Sequence, residues 1–161
     1  PTLVEKDQML AQVNGVMNAV MVGSDAAGST MYYGAGAGAG PTASSVMADI
    51  IDIARGGKLP DLGFVSLAPT GILAIEKIRC SYYLRLGVVD QAGVMANVST
   101  ILSRHRVSIE ALIQKDARRG DAQIVILTDE VLESEMLDAI SEIESNEAVT
   151  SKVSMIRVSN L

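Results

Sequence analysis

Two stretches of this sequence place residue types at spacings that could do chemistry. The first is Gly34-Ala35-Gly36-Ala37-Gly38-Ala39-Gly40-Pro41-Thr42, in which glycine occupies every second position up to a proline. Glycine lets a backbone approach a ligand closely and adopt positive φ. Pro41-Thr42 reads as a helix start, whose unpaired N–H groups and positive dipole suit an anion or a carboxamide oxygen. On its residues alone the stretch is either a ligand-contacting loop or a flexible turn where strand meets helix. It is not a dinucleotide fingerprint: the third glycine required by that spacing falls on Ala39 counted from Gly34, and on Pro41 counted from Gly36. The second stretch is Asp90-Gln91-Ala92-Gly93-Val94, an acid and a glycine just ahead of an apolar helical stripe. Gly93 opens that helix, so neighbouring N–H groups could meet a carboxylate, and Asp90 could receive an α-ammonium group or simply cap the helix.

Composition removes several chemistries. One histidine, His105, and one cysteine, Cys80, supply neither a His-based metal cluster nor an internal disulfide. No metal site and no catalytic residue is assigned in this chain. Thirteen Lys+Arg against nineteen Asp+Glu give a net charge of -6, and only five residues are aromatic, which argues against a nucleic-acid face. The uncharged run over 26–48 is glycine-rich and poor in bulky side chains, so no membrane segment is expected. The first residues lack the basic and apolar regions of a signal peptide. They also lack an initiator Met, which hints at a processed or truncated product. A reducing, cytoplasmic location is expected. His105 is read as a partner of its helix C-terminus, the acidic run Glu130, Glu133, Glu135, Asp138, Glu142, Glu144 and Glu147 as a solvated helix face, and the methionines as core filler.

The elements that must position these residues follow from hydrophobic period. Residues 82–89 alternate, with Leu84, Leu86 and Val88 on one face. Val94, Val98, Ile101, Leu102 and His105 form a helical stripe. Val107, Ile109, Ala111 and Ile113 alternate as a second strand, and a polar hairpin loop covers 115–121. Residues 122–128 form a nearly continuous apolar strand of the kind found centrally in a sheet. Leu132, Met136, Ile140 and Ile143 form a second helical stripe, and 152–158 a last strand. The order βαββαβ is the ferredoxin-like arrangement, two helices on one face of a four-stranded antiparallel sheet. Ahead of it, 13–22 and 29–33 read as a strand hairpin, and a helix runs from Pro41 to about Arg55. Two strands and one helix bury their own apolar faces poorly. The expected organisation is an α+β chain: an incomplete α/β unit over 1–57, a Gly/Pro-punctuated linker over 58–79, and the ferredoxin-like domain over 80–161.

The strings Val13-Asn14-Gly15-Val16-Met17-Asn18-Ala19, Tyr32-Tyr33 with the glycine stretch through Val46, and Ala48-Asp49-Ile50-Ile51-Asp52-Ile53-Ala54-Arg55 resemble the C-terminal part of the catalytic region of homoserine dehydrogenases. Tyr82-Tyr83-Leu84-Arg85-Leu86 and Asp90-Gln91-Ala92-Gly93-Val94 resemble the start of the ACT regulatory domain of the longer bacterial forms. That resemblance implies NAD(P)-dependent interconversion of aspartate semialdehyde and homoserine, on the path to threonine and methionine. The Rossmann domain and catalytic lysine belong upstream of Pro1, so the chain alone is expected to be inactive and to hold no cofactor. Gly38, with Gly36 and Thr42 beside it, is implied at the nicotinamide end of NADP or NAD in the intact enzyme. Asp90, Gly93, Val94 and Gln114 are implied around an amino-acid effector, L-threonine, with homo-oligomers formed through the ACT and hairpin regions. The family commonly has Arg and Pro where this chain has Gln91-Ala92. Two other readings are a freestanding amino-acid-sensing module and a domain that serves only to dimerise.

Overall fold

In chain order the elements are β1 (Thr2–Leu3), a 3-10 turn (Met9–Gln12), β2 (Met17–Ser24), β3 (Gly28–Ala35), α1 (Ala39–Ala54), a second 3-10 turn (Ile75–Lys77), β4 (Arg79–Val89), α2 (Val94–Arg104), β5 (Ile109–Arg118), β6 (Asp121–Thr128), β7 (Val131–Leu132), α3 (Glu133–Glu144) and β8 (Ser154–Val158). They are taken from a computed structural model that describes residues 1–56, 71–118 and 121–159. The chain divides into two units, Pro1–Val4 with Gly71–Leu161, and Glu5–Thr70. Of the expected linker, 58–70 lies outside the described residues.

The larger unit is built on the sheet β1-β8-β4-β6-β5, with β7 on the first residues of β4. Counting only the four ferredoxin-type strands, the spatial order is fourth, first, third, second, as the βαββαβ sequence demands. Alternation decides which side chains go inward. Tyr82, Leu84, Leu86 and Val88 of β4 and Ala122, Ile124 and Ile126 of β6 share one face. Against that face pack Val98, Ile101 and Leu102 of α2 and Met136, Ala139 and Ile143 of α3, in one buried cluster. The expected stripes therefore form the core, with two adjustments. Val131 rather than Leu132 is buried where α3 begins, because 131–132 is extended and pairs with Arg79 and Cys80. The second strand also changes phase. Ile109 faces Thr128 and Ala111 faces Leu127, so Glu110 is an extra residue in a β-bulge. Beyond it Leu112 packs on the core and Ile113 is 55% exposed, the reverse of a strict alternation from Val107. The polar loop expected over 115–121 is shorter, since β5 continues to Arg118 and pairs there with Asp121; residues 119–120 lie outside the described residues.

β1 pairs in parallel with β8, Thr2 opposite Arg157 and Leu3 opposite Val158, and the Ser159 N–H donates to the Leu3 carbonyl at 2.8 Å. A two-residue strand has too little pattern to be read from sequence. It leaves β5 as the uncovered outer strand at the other side of the sheet.

The smaller unit is a hairpin and a helix. Gly15 at φ 65 and a turn from the Met17 N–H to the Asn14 carbonyl delay the first strand to Met17, four residues later than the pattern at 13–22 suggests. β2 and β3 then pair from Met17 opposite Ala35 to Ser24 opposite Gly28. α1 begins two residues ahead of Pro41, which is tolerated because a proline in the first turn lacks only an N–H that has no intrahelical partner. None of residues 1–56 is buried. Tyr32 is 68% and Ile53 79% exposed.

Candidate functional site

At the end of β4 the chain turns tightly: the Gln91 N–H donates to the Val89 carbonyl at 2.9 Å, and the Val94 N–H to the Gln91 carbonyl at 3.4 Å. Gly93, at φ 93 and ψ -17, is the N-cap of α2 and supplies no capping side chain. Positive φ explains the glycine. It also removes one of the two readings of Asp90, which does not cap the helix. No partner for the Asp90 carboxylate is found among the described residues. Gln114 stands opposite Ile124 in the β5–β6 ladder and points to the same side of the sheet as that buried residue. The result is a cavity of about 280 Å³ that brings together Asp90, Gly93, Val94 and Gln114 over a floor including Val88 and Ile124. One exposed carboxylate, one carboxamide, the N-terminal end of an eleven-residue helix and an apolar floor suit a small zwitterion with a short side chain. Gln114, one of its lining residues, belongs to β5, the uncovered edge.

The glycine stretch proves to be three kinds of backbone. Gly34 and Ala35 belong to the β2–β3 ladder. Gly36 donates its N–H to the Val16 carbonyl at 2.9 Å. Gly38, at φ 120 and ψ 147, is the N-cap of α1, a conformation open essentially only to glycine, and its carbonyl accepts from the Thr42 N–H at 3.1 Å. Around Gly34 and Gly40 there is open space, whereas an added Cβ at Gly36 would lie 1.2 Å from the Asn18 Nδ2. The loop can thus admit a flat group against its backbone at some positions and not at Gly36. Residues 34–54 contain no Lys or Arg. The stretch therefore offers backbone donors and acceptors with no cationic side chain among them to neutralise a phosphate. Gly36, Gly38 and Thr42 all lie on this turn, and the described residues contain no group able to hold a metal.

One network was missed in the sequence, where Glu133 counted as part of a solvated face. Its side chain is only 4% exposed. It accepts a hydrogen bond from the Tyr82 hydroxyl at 2.6 Å and a bidentate pair from Arg157, the Nε at 2.9 Å. Burial pushes the Glu133 carboxyl up, but hydrogen bonds from Arg157 and Tyr82 outweigh it and hold the group below the ordinary carboxylate range. Burial, then the neighbouring Cys80 and Glu133 side chains, push the Tyr82 hydroxyl up. The hydrogen bond that the Arg157 guanidinium donates to Glu133 raises the arginine further. The available signal was an arginine set between Ile156 and Val158 in the last strand. Other members of the acidic run are also engaged. Glu142 meets Arg104 at 2.7 Å and His105 Nε2 at 2.8 Å, Glu135 meets Arg106 at 3.2 Å, and Glu144 accepts from the Val153 N–H at 2.7 Å. The His105 ring thus binds α3, not the carbonyl end of its own helix.

Sheet order, helix placement and a cavity at the first strand–helix turn are those of an ACT-type regulatory domain. Comparison with known proteins agrees: residues 82–148 match the ACT domain model, and residues 1–51 match the homoserine dehydrogenase model. The chain belongs to the homoserine dehydrogenase family. It is 46% identical to the homoserine dehydrogenase of Pseudomonas aeruginosa and 45% identical to that of Neisseria gonorrhoeae, in each case over its whole length and 39% of the relative's. A crystal structure of a homoserine dehydrogenase from Thiobacillus denitrificans superposes with a TM-score of 0.83 at 42% identity, over 99% of this chain and 38% of that one. The chain therefore spans about two-fifths of the length of the relatives it matches. Among the described residues no helix is long and apolar enough to cross a membrane.

Proposed function

We propose that this chain forms the regulatory portion and part of the catalytic portion of an NAD(P)-dependent homoserine dehydrogenase, which interconverts L-aspartate 4-semialdehyde and L-homoserine. NAD(P) would supply hydride exchange. Gly38, Gly36 and Thr42 would lie at its nicotinamide end, and the residues that move protons would lie outside these 161. The ACT domain would bind an amino-acid effector, L-threonine, as feedback control. The observation that carries this reading is the cavity at the end of β4, where four residues from two distant elements converge. There Asp90 would take the α-ammonium group, N–H groups at the start of α2 the carboxylate, and Gln114 the side-chain hydroxyl. Because the cavity adjoins the uncovered strand β5, pairing two copies along that edge would close it, which links effector binding to assembly.

Calorimetry of the chain with L-threonine, L-methionine and L-isoleucine tests the effector. Heat with L-threonine that disappears in Asp90→Ala is expected; no heat with any of the three overturns the sensing role. The enzymatic part is tested by NAD(P)-dependent oxidation of homoserine, expected of the full-length enzyme and absent from the 161-residue chain. Turnover by the short chain alone would refute the assignment of catalysis to other residues.

A further inference from the structure

The glycine at position 36 has a neighbour that the sequence did not associate with it. Asn18 stands opposite Gly34 in the β2–β3 ladder and shares its face with Val20 and Tyr32, both exposed. Its side chain reaches past Gly34 and covers Gly36: an added Cβ there would lie 1.2 Å from the Nδ2 and 2.5 Å from the Cγ. Gly36 is glycine because the Asn18 carboxamide occupies the space a side chain would fill. Conversely, a ligand approaching the loop on that side meets the carboxamide before the backbone.

Asn18 does not hold the fold together through that carboxamide. No hydrogen bond of its side chain to protein exists among the described residues, so its donor and its acceptor both remain available. Asparagine is also depleted in strands, and here it stands at the second residue of β2. The surrounding loop has no cation to attract a phosphate, while Gly38 and the open space at Gly34 and Gly40 let a flat group lie against backbone.

We propose that Asn18 is a further cofactor-binding residue of this loop, its carboxamide pairing with the carboxamide of the nicotinamide ring through reciprocal N–H to O=C hydrogen bonds. The inference rests on the reading of the chain as part of an NAD(P)-dependent dehydrogenase and names the chemistry of one contact within it. One amide supplies a donor and an acceptor to the other, so the pair reads the substituent of the ring rather than its charge.

The test measures dissociation constants, in the full-length enzyme, for the oxidised dinucleotide and for an analogue whose pyridinium ring lacks the carboxamide. Asn18→Ala should weaken binding of the natural dinucleotide about tenfold and leave the analogue unchanged. Gly36→Ala, which expels the intact Asn18 side chain, should show the same selective loss. The unaltered enzyme should already bind the analogue about tenfold more weakly, an arm that needs no variant to fold. Equal weakening of both dinucleotides by Asn18→Ala, or of neither, overturns the proposal while leaving the dehydrogenase reading in place. An unaltered enzyme that binds neither dinucleotide overturns both.

Discussion

Replacing Arg157 with methionine would expose what the Tyr82–Glu133–Arg157 network contributes. The Arg157 side chain is 26% exposed, and the Glu133 side chain it holds is almost fully buried. Removing one partner of a buried pair strands a charge and typically costs about 3–5 kcal/mol. The partial exposure of Arg157 puts this case at the lower end, about 3 kcal/mol, a large share of the ~5–15 kcal/mol that stabilises a typical domain. The pH dependence carries the sharper prediction. In the parent chain the Glu133 carboxyl is held below its ordinary range. Its contribution is therefore complete above the unfolded-state value of about 4.3 and is lost as pH falls through the folded value. Without Arg157, burial prevails and raises the carboxyl instead. The variant then suffers most at neutral pH, where the stranded group is charged, and recovers as acid protonates it. Urea unfolding followed by circular dichroism at about pH 7.5 and about pH 5 reads both effects, with midpoints shifting and slopes preserved. The triple change Tyr82→Phe, Glu133→Leu, Arg157→Leu, which removes every polar member, should recover most of the loss. A single-variant loss below about 1 kcal/mol, or one that does not change with pH, would refute the account of a buried, mutually satisfied cluster.

Other expectations follow from particular positions. Gly93→Ala meets open space but a positive φ, so it should lose about 1–2 kcal/mol in denaturant unfolding through backbone strain alone, and it should weaken any ligand at the end of β4. Ile124→Ala opens a hole beneath that cavity and in the main core and should cost about 2–5 kcal/mol by the same assay. Glu142→Ala removes contacts to Arg104 and His105, but these side chains are exposed enough that the loss should stay below about 1 kcal/mol at physiological salt. Deleting residues 1–4 should speed hydrogen exchange at the Ser159 amide, which loses its Leu3 acceptor, and leave the β4–β6 amides protected.

Much of the C-terminal architecture is legible in the chain because alternation and helical stripes there agree with one another. Leu84, Leu86 and Val88, then Val98, Ile101 and Leu102, then Met136 and Ile143 all go inward where their periods point. The candidate effector residues Asp90, Gly93 and Val94 are adjacent in sequence, so their proximity is local, and Gly93 announces the positive φ the turn requires. Period cannot say where a strand slips. The Glu110 bulge, which sends Leu112 inward and Ile113 outward, depends on how β5 meets β6.

The amino-acid sequence by itself determined the order of the longer elements, most of the apolar faces, the glycine turn and the family likeness, because each of these is written in neighbouring residues and short periods. Only the tertiary structure decided the rest, because each remaining feature joins residues far apart in the chain. It set Gln114 beside the turn at Asp90, buried Glu133 between Tyr82 and Arg157, and laid Asn18 over Gly36. It also carried Thr2 and Leu3 to the edge at Arg157 and Val158, where an unpaired row of backbone donors and acceptors selects its partner by position and not by side chain.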